Sequence, residues 1–223
     1  RSLALGLLVT VLTVVFSLMA GLAYRKRLPF GNALFYVAVA SLIMPSIIVS
    51  LGIGLEFRLL DTGLKWLLQS VGADDWLGRY TTAMGLWTSA LGAHLTWTLP
   101  FGLLIMFAVF NRFDSSVEEA AADLGATRMQ TFRYVLLPLV APALVGVGMF
   151  GFTLSWDEIA RTSQAISDVN TLPLELQGLT TTVTTPAIYA LATVTMLVSF
   201  VVMGASLWLG AKLAVRRRAP SAH

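Results

Sequence analysis

The sequence predicts an all-α fold, a polytopic membrane protein with five spanning helices, and three observations carry that prediction. The first is composition: 57% of the 223 residues are hydrophobic and 12% charged, with mean hydropathy +0.78, too apolar for an ordinary soluble domain. The second is segregation of charge. Uncharged stretches cover 2–24, 28–55, 80–111, 134–156 and 176–211, and each holds the roughly 20 residues that a spanning helix needs. The third is the placement of basic residues. Arg25, Lys26, Arg27, Arg112, Arg128, Arg133, Lys212, Arg216, Arg217 and Arg218 fall in alternate connections or the tail, against Arg1, Arg58, Lys65, Arg79 and Arg161 on the other side, ten to five. The basic side is expected to be cytoplasmic. That places the amino terminus outside, and the carboxyl terminus and the 111–138 connection inside.

Taken in order, stretch 2–24 is a span and not a cleaved leader, because its basic cluster follows the apolar run instead of preceding it. Stretch 28–55 exceeds one span, so part of it must be loop, interfacial helix or tilted helix. It contains Pro45, Gly52 and Gly54, as the third span contains Pro100 and Gly102 and the fourth Gly146, Gly148 and Gly151. Such residues interrupt backbone bonding or let helices approach closely. Between the second and third spans, 57–79 sets Leu59, Leu60, Leu64, Trp66, Leu67, Leu68 and Trp76 among Asp61, Lys65, Asp74 and Asp75. It reads as a short amphipathic helix on the outer surface, packing on the membrane or touching a delivery protein. The outer connection 161–186, with Asp168, Asn170, Pro173, Glu175 and a Thr-rich run, reads as an irregular loop.

The 111–138 connection is the most informative part. Ser115 or Ser116 can cap a helix, with Glu118 and Glu119 at the reciprocal capping-box positions. Residues 117–124 are rich in helix formers, Gly125 can adopt the left-handed closing conformation, and a second helical pattern runs from Ala126 through Phe132. Within it Glu119-Ala120-Ala121, three residues, Gly125, nine residues and Val135-Leu136-Leu137-Pro138 form a spaced pattern. This resembles the EAA loop of the permease subunits of bacterial ATP-binding-cassette importers, with Val135 where that pattern has isoleucine. The likeness extends over nearly the whole chain.

Membership in that family implies that 111–138 forms a coupling helix docked on a cytoplasmic ATPase subunit, with Glu119, Ala120, Ala121, Gly125 and Pro138 at the matching positions. Further implied are two ATPase subunits holding ATP and Mg, a second permease subunit, homologous and distinct, a periplasmic substrate-binding protein, and residence in the bacterial inner membrane among lipid. Family members usually have six spans. The five here correspond to the second through sixth of a single permease domain over 1–223, and Arg1 in place of methionine leads to the expectation that the first family helix is missing.

Candidates for the substrate path are Asp157 and Glu158, just past Phe152-Thr153-Leu154-Ser155-Trp156, because carboxylates near membrane depth are costly unless paired or facing water. Arg161, four residues after Asp157, is spaced for a helical ion pair with it, whereas Glu158 has no such basic partner in sequence. Residues 152–158 resemble the corresponding stretch of spermidine- and putrescine-type importer permeases, and Leu172-Pro173-Leu174 is similar too. The resemblance implies a polyamine-like cationic cargo; ferric ion, an oxyanion or an opine-like amine are the alternatives within the class. Trp156, Trp97 and Tyr189 are either aromatic contacts for such a cation or packing and interface anchors. Glu56 stands at an outer span end beside Arg58, and His94 is placed to hydrogen-bond a neighbouring helix. A rival from another class is an ATP-independent carrier or channel in which Asp157, Glu158 and His94 handle protons or ions.

Enzymatic chemistry finds no support. The sequence has no Gly-rich phosphate loop ending in Lys and Ser or Thr and no nucleophile–base constellation, and one of its two histidines is His223. A transport subunit without its own cofactor or metal is therefore expected. Zero cysteines exclude disulfides and thiolate metal sites. The net charge of +3 and pI near 9.5 are explained by anchoring charges, so no nucleic-acid partner is inferred.

Overall fold

The fold comes from a computed structural model, which describes residues 1–25, 31–166, 169–182 and 186–218. Lys26, Arg27 and Asp168 lie outside the described residues, as do the side chains of Asp74, Arg216, Arg217 and Arg218. Among the described residues every regular element is helical. The helices are α1 (Ser2–Tyr24), α2 (Gly31–Ile43), α3 (Ser46–Ser70), α4 (Asp74–Arg79), α5 (Leu91–Asn111), α6 (Ser116–Asp123), α7 (Arg128–Gln130), α8 (Leu137–Trp156), α9 (Ala160–Ala165), α10 (Leu172–Thr182) and α11 (Pro186–Arg218). A π-helical turn, Leu86–Ala90, leads directly into α5, and a second, Thr131–Leu136, joins α7 to α8. The connection 111–138 therefore contains one free-standing helix, α6, and its second helical pattern is the start of the next span.

Among the described residues four helices are long and apolar enough to cross a membrane: Ser2–Tyr24, Leu86–Asn111, Arg128–Trp156 and Pro186–Leu213. The expected fifth is a pair, α2 and α3, bent by 104°. Pro45 causes the break. It lacks an amide hydrogen and disfavours helical geometry at the residue before it; Pro45 itself is extended (φ −57°, ψ 128°) and its carbonyl accepts from Ile48 and Val49 to start α3.

The core is a three-helix unit of α1, α5 and α8, with α2 against α5 and α11 against α8. Small residues line its seam, as expected where apolar lipid gives helices no hydrophobic reason to associate and close approach decides the packing. Thr13 and Thr98 share a buried hydroxyl hydrogen bond of 2.7 Å. A Cβ on Gly102 would collide with Ser17 Oγ, and one on Gly151 would meet Thr13 at 3.4 Å. Gly54 brings α3 onto α9, where an added Cβ would stand 2.9 Å from the Gln164 carbonyl. Gly52 and Gly146 meet nothing within 4 Å, so these two are not close-contact positions in this chain.

Two connections differ from expectation. In 57–79, no separate surface helix begins after the second span: α3 runs unbroken to Ser70, and only α4 stands apart, after a turn with Gly72 at φ +68°. Nothing between residues 46 and 70 breaks a helix, so the span continues beyond its apolar part. Asp61 then anchors the return of the chain, accepting from Tyr80 Oη (2.5 Å), Thr82 Oγ1 (2.5 Å) and the Ala83 amide (2.7 Å). Segment 161–186 is not an irregular loop either, because it holds α9 and α10. Arg161, Thr162 and Ala165 of α9 are buried, and that burial replaces the turn propensity that suggested a loop.

Candidate functional site

At the end of the molecule reached by the carboxyl end of α1, α6 stands clear of the bundle. No residue of α6 is fully buried; Glu119 and Ala120 are exposed and Ala121 is half-buried. Its start departs from expectation. Ser115 precedes the helix in αR conformation without a side-chain cap, and Asp114 instead accepts from the Ser116 amide at 2.9 Å. With Ser115 already helical, its hydroxyl reaches Glu119 Oε1 (3.4 Å) instead of a backbone amide. The Ser116 amide and hydroxyl hold the Asp114 carboxyl below its ordinary 3.8. A true capping box forms twelve residues after Ser115, where Gln130 N donates to Thr127 Oγ1 (3.4 Å) and Thr127 N to Gln130 Oε1 (2.7 Å).

Gly125 ends α6 as expected, at φ +81°. The Ala126 amide donates to Ala121 O (3.0 Å) and the Gly125 amide to Ala122 O (2.9 Å), the paired bonds of a Schellman closure. This turn presents Leu124, 89% exposed, and Met129, also exposed, on either side of Gly125. Pro138 is exposed in the first turn of α8. The result is a short helix whose acidic, small and apolar groups are free to meet another surface.

Sequence reasoning missed what holds α6. Arg25, at the end of α1, grips Glu118 with both guanidinium nitrogens, Nη1 to Oε1 at 3.1 Å and Nη2 to Oε2. Its Cζ lies 5.1 Å from the Phe113 ring centroid and 5.7 Å from that of Phe110. Arg25 was legible only as an anchoring charge and Glu118 only as a capping residue. Ninety-three positions separate them, so no local spacing could join them.

The opposite end holds the path candidates, and here the expected pairing is reversed. α8 stops at Trp156 and Asp157 closes it with φ −102°. A helical i to i+4 contact from Asp157 to Arg161 thus has no continuous helix to support it. Glu158 takes Arg161 instead: the Arg161 amide donates to Oε1 at 3.0 Å and Nη1 to Oε2 at 3.2 Å. Arg161 is only 1% exposed, and its Cζ sits 4.5 Å from the Trp97 ring centroid. Asp157 is exposed and makes no ion pair among the described residues.

His94 joins this cluster, with Nδ1 2.8 Å from Ser155 Oγ and Nε2 2.8 Å from Thr162 Oγ1, while Thr162 Oγ1 donates to Glu158 O at 2.7 Å. Both ring nitrogens are thus engaged by hydroxyls in a buried setting, which ties α5 to α8 and α9 as expected of an interhelical hydrogen bond. Trp156 is buried and stacked on Phe152, with centroids 5.6 Å apart. Tyr189, 66% exposed on α11, makes no ring contact with this cluster among the described residues. Glu56 is exposed and lines, with Leu55, Leu59 and Leu60, an open apolar groove of about 600 Å³ along α3. Among the described residues no three His, Cys, Asp or Glu are grouped to hold a metal ion.

Comparison with known proteins adds the following. The family described as "Binding-protein-dependent transport system inner membrane component" matches residues 3–215. The chain is similar to the spermidine/putrescine transport system permease protein PotC of Haemophilus influenzae, 40% identical over 119 residues, 52% of this chain and 46% of that one. PotC of Escherichia coli K12 is 30% identical over 201 residues, 88% of this chain and 67% of that one. The putrescine transport system permease protein PotI of the same organism is 29% identical over 164 residues, 73% of this chain and 53% of that one. The chain thus spans from 46% to 67% of these relatives' lengths. A solved structure described as inward-facing conformations of the MetNI methionine ABC transporter superposes with a TM-score of 0.68 at 18% identity, over 95% of this chain and 92% of that one. That likeness shows the fold.

Proposed function

Because the chain belongs to the family of binding-protein-dependent transport system inner membrane components, we propose that it is a permease subunit of an ATP-binding-cassette importer whose cargo is a polyamine or related cationic amine. The observation that carries the reading is α6. A helix with no fully buried residue, closed by Gly125 at φ +81° and flanked by the exposed Leu124 and Met129, leaves its contact-forming surface free for another subunit. In this reading α6 faces the cytoplasm and docks on one of two ATPase subunits, which bind ATP and Mg. A second, homologous permease completes the path, and a periplasmic binding protein delivers cargo to the opposite face. The carboxyl terminus is cytoplasmic, as the ten-to-five excess of basic residues favours.

Asp157 is the residue that supports a cationic cargo. It is exposed, unpaired among the described residues and fixed at the carboxyl end of α8, where the helix dipole disfavours a negative charge by about 0.3–1 kcal/mol. A cation arriving there is attracted by both the carboxylate and the helix end. Glu158 is a weaker candidate because Arg161 neutralises it. That same ion pair favours a second reading, an importer of another solute, since it removes one of the two negative charges on which a polyamine path would draw.

The test is ATPase activity of the complex with its binding protein in proteoliposomes, comparing spermidine and putrescine with a neutral sugar and an inorganic anion. Stimulation by polyamines that weakens in Asp157→Asn supports the cationic path. Stimulation by another solute sinks the polyamine assignment and keeps the importer. Gly125→Ala tests the docking role: a Cβ there meets nothing within 4 Å, so the change acts only through the left-handed backbone, at roughly 1–2 kcal/mol. Uptake should fall while the spans stay folded, and unchanged uptake would refute coupling through α6.

A further inference from the structure

We infer that α1 fixes the docking helix to the transport body and carries its displacement to the other end of the chain, with Arg25 as the positioning residue. This rests on the reading of α6 given above.

The attachment of α6 is slight. It packs against the π turn Thr131–Leu136, its two chain ends tether it, and the described residues supply one ion pair to it, Arg25 to Glu118. That pair is a two-point fork, so it resists rotation of α6 as well as separation, which a single hydrogen bond does not. Phe110 and Phe113 flank the guanidinium and hold its stem. A pull on α6 is therefore delivered to the carboxyl end of α1 as well as, through its chain ends, to α5 and α8.

α1 is suited to passing that pull on. Its 23 residues contain no proline or break and measure about 34 Å at 1.5 Å per residue. Along that length it is keyed to α5 and α8 through Thr13, Ser17 and Gly21, so sliding of α1 against its neighbours would open a close-packed seam. At its far end Ser2 Oγ accepts from the Leu172 amide at 2.6 Å, which ties α1 to the first turn of α10. α10 borders a mixed hollow lined by Ser163, Ile166, Asn170, Leu174, Gln177 and Thr181, of which Ser163 stands two residues after Arg161 on α9. One rod thus connects the docking helix to the segment next to the path candidates.

The experiment uses the assembled complex. The chain has no native cysteine, so spin labels on Thr62→Cys and Gln177→Cys, both exposed positions on α3 and α10, are unique in it. The distance between them is measured without nucleotide and with a non-hydrolysable ATP analogue, the other subunits being cysteine-free. A nucleotide-dependent change in the parent protein that Arg25→Gln abolishes, and that the swap Arg25→Glu with Glu118→Arg restores, is the expected result. Uptake per ATP should fall in Arg25→Gln and recover in the swap. A parental change retained in Arg25→Gln overturns this inference and leaves the importer reading intact. No nucleotide-dependent change in the parent protein likewise overturns this inference, and only absence of ATP-dependent uptake by that same parent complex overturns the importer reading. Should Arg25→Gln fail to assemble, Arg25→Lys decides: it keeps the charge and loses the fork, so a reduced amplitude supports the inference and a full one refutes it.

Discussion

Arg161→Met is the most exacting test of the buried cluster. Arg161 is 1% exposed and Glu158 10% by side chain, and they meet at 3.2 Å. Removing one member of such a pair leaves the other charge buried and uncompensated, at a cost of about 3–5 kcal/mol. The cation–π contact with Trp97 at 4.5 Å is lost as well, worth up to about 2 kcal/mol when desolvated. In the other direction, the Arg161 amide still donates to Glu158 Oε1, since that bond belongs to the backbone. These opposing corrections leave about 3–5 kcal/mol, or roughly 6–20 °C in melting temperature at 2–4 °C per kcal/mol for a chain of this size. The double change Arg161→Met, Glu158→Leu strands no charge and should recover most of the loss. Thermal unfolding of the detergent-solubilised complex, followed by intrinsic fluorescence, measures both. A single variant that melts within about 2 °C of the parent, or a double variant no better than the single, refutes the argument that this pair is a buried, mutually dependent one.

Two further outcomes follow from other parts of the structure. Gly102→Ala should destabilise by about 1–3 kcal/mol because its methyl lands on Ser17 Oγ, and Ser17→Gly in the same chain should restore the melting temperature. Asp114 has a folded-state pKa below its ordinary 3.8, so its hold on the Ser116 amide is fully present above that value and lost as pH falls through the lower, folded one. Hydrogen exchange at the Ser116 amide should therefore stay pH-independent, beyond the intrinsic chemical trend, from pH 7 to 5, and Asp114→Ala should speed it throughout.

Global architecture was legible because lipid imposes a simple demand: every backbone polar group must be satisfied within its own helix, so long uncharged runs announce spans. Gly125 was legible because a left-handed closure has few chemical solutions. The bend at Pro45 was half-legible, since a proline announces a break while the size of the bend depends on how α2 and α3 pack. Glu158 and Arg161 were hidden for a local reason: the helix ends at Trp156, so the spacing rule that offered Asp157 to Arg161 applied to a helix that is not there. Arg25 and Glu118 were hidden for a global one, because two elements far apart in sequence meet only once α1 and α5 are folded side by side.

The two π-helical turns, Leu86–Ala90 and Thr131–Leu136, bear on which faces α5 and α8 present. A π turn closes its hydrogen bonds from i to i+5, over one residue more than an α turn. One residue corresponds to about 100° in a helix of 3.6 per turn. Deleting one residue from 131–136 should therefore swing α6 and the Gly125 turn by about that angle relative to the seam that α8 makes through Gly151. The direction in which the exposed helix faces is thus set inside the start of a span, by the winding of one turn, as well as by the loop that carries it.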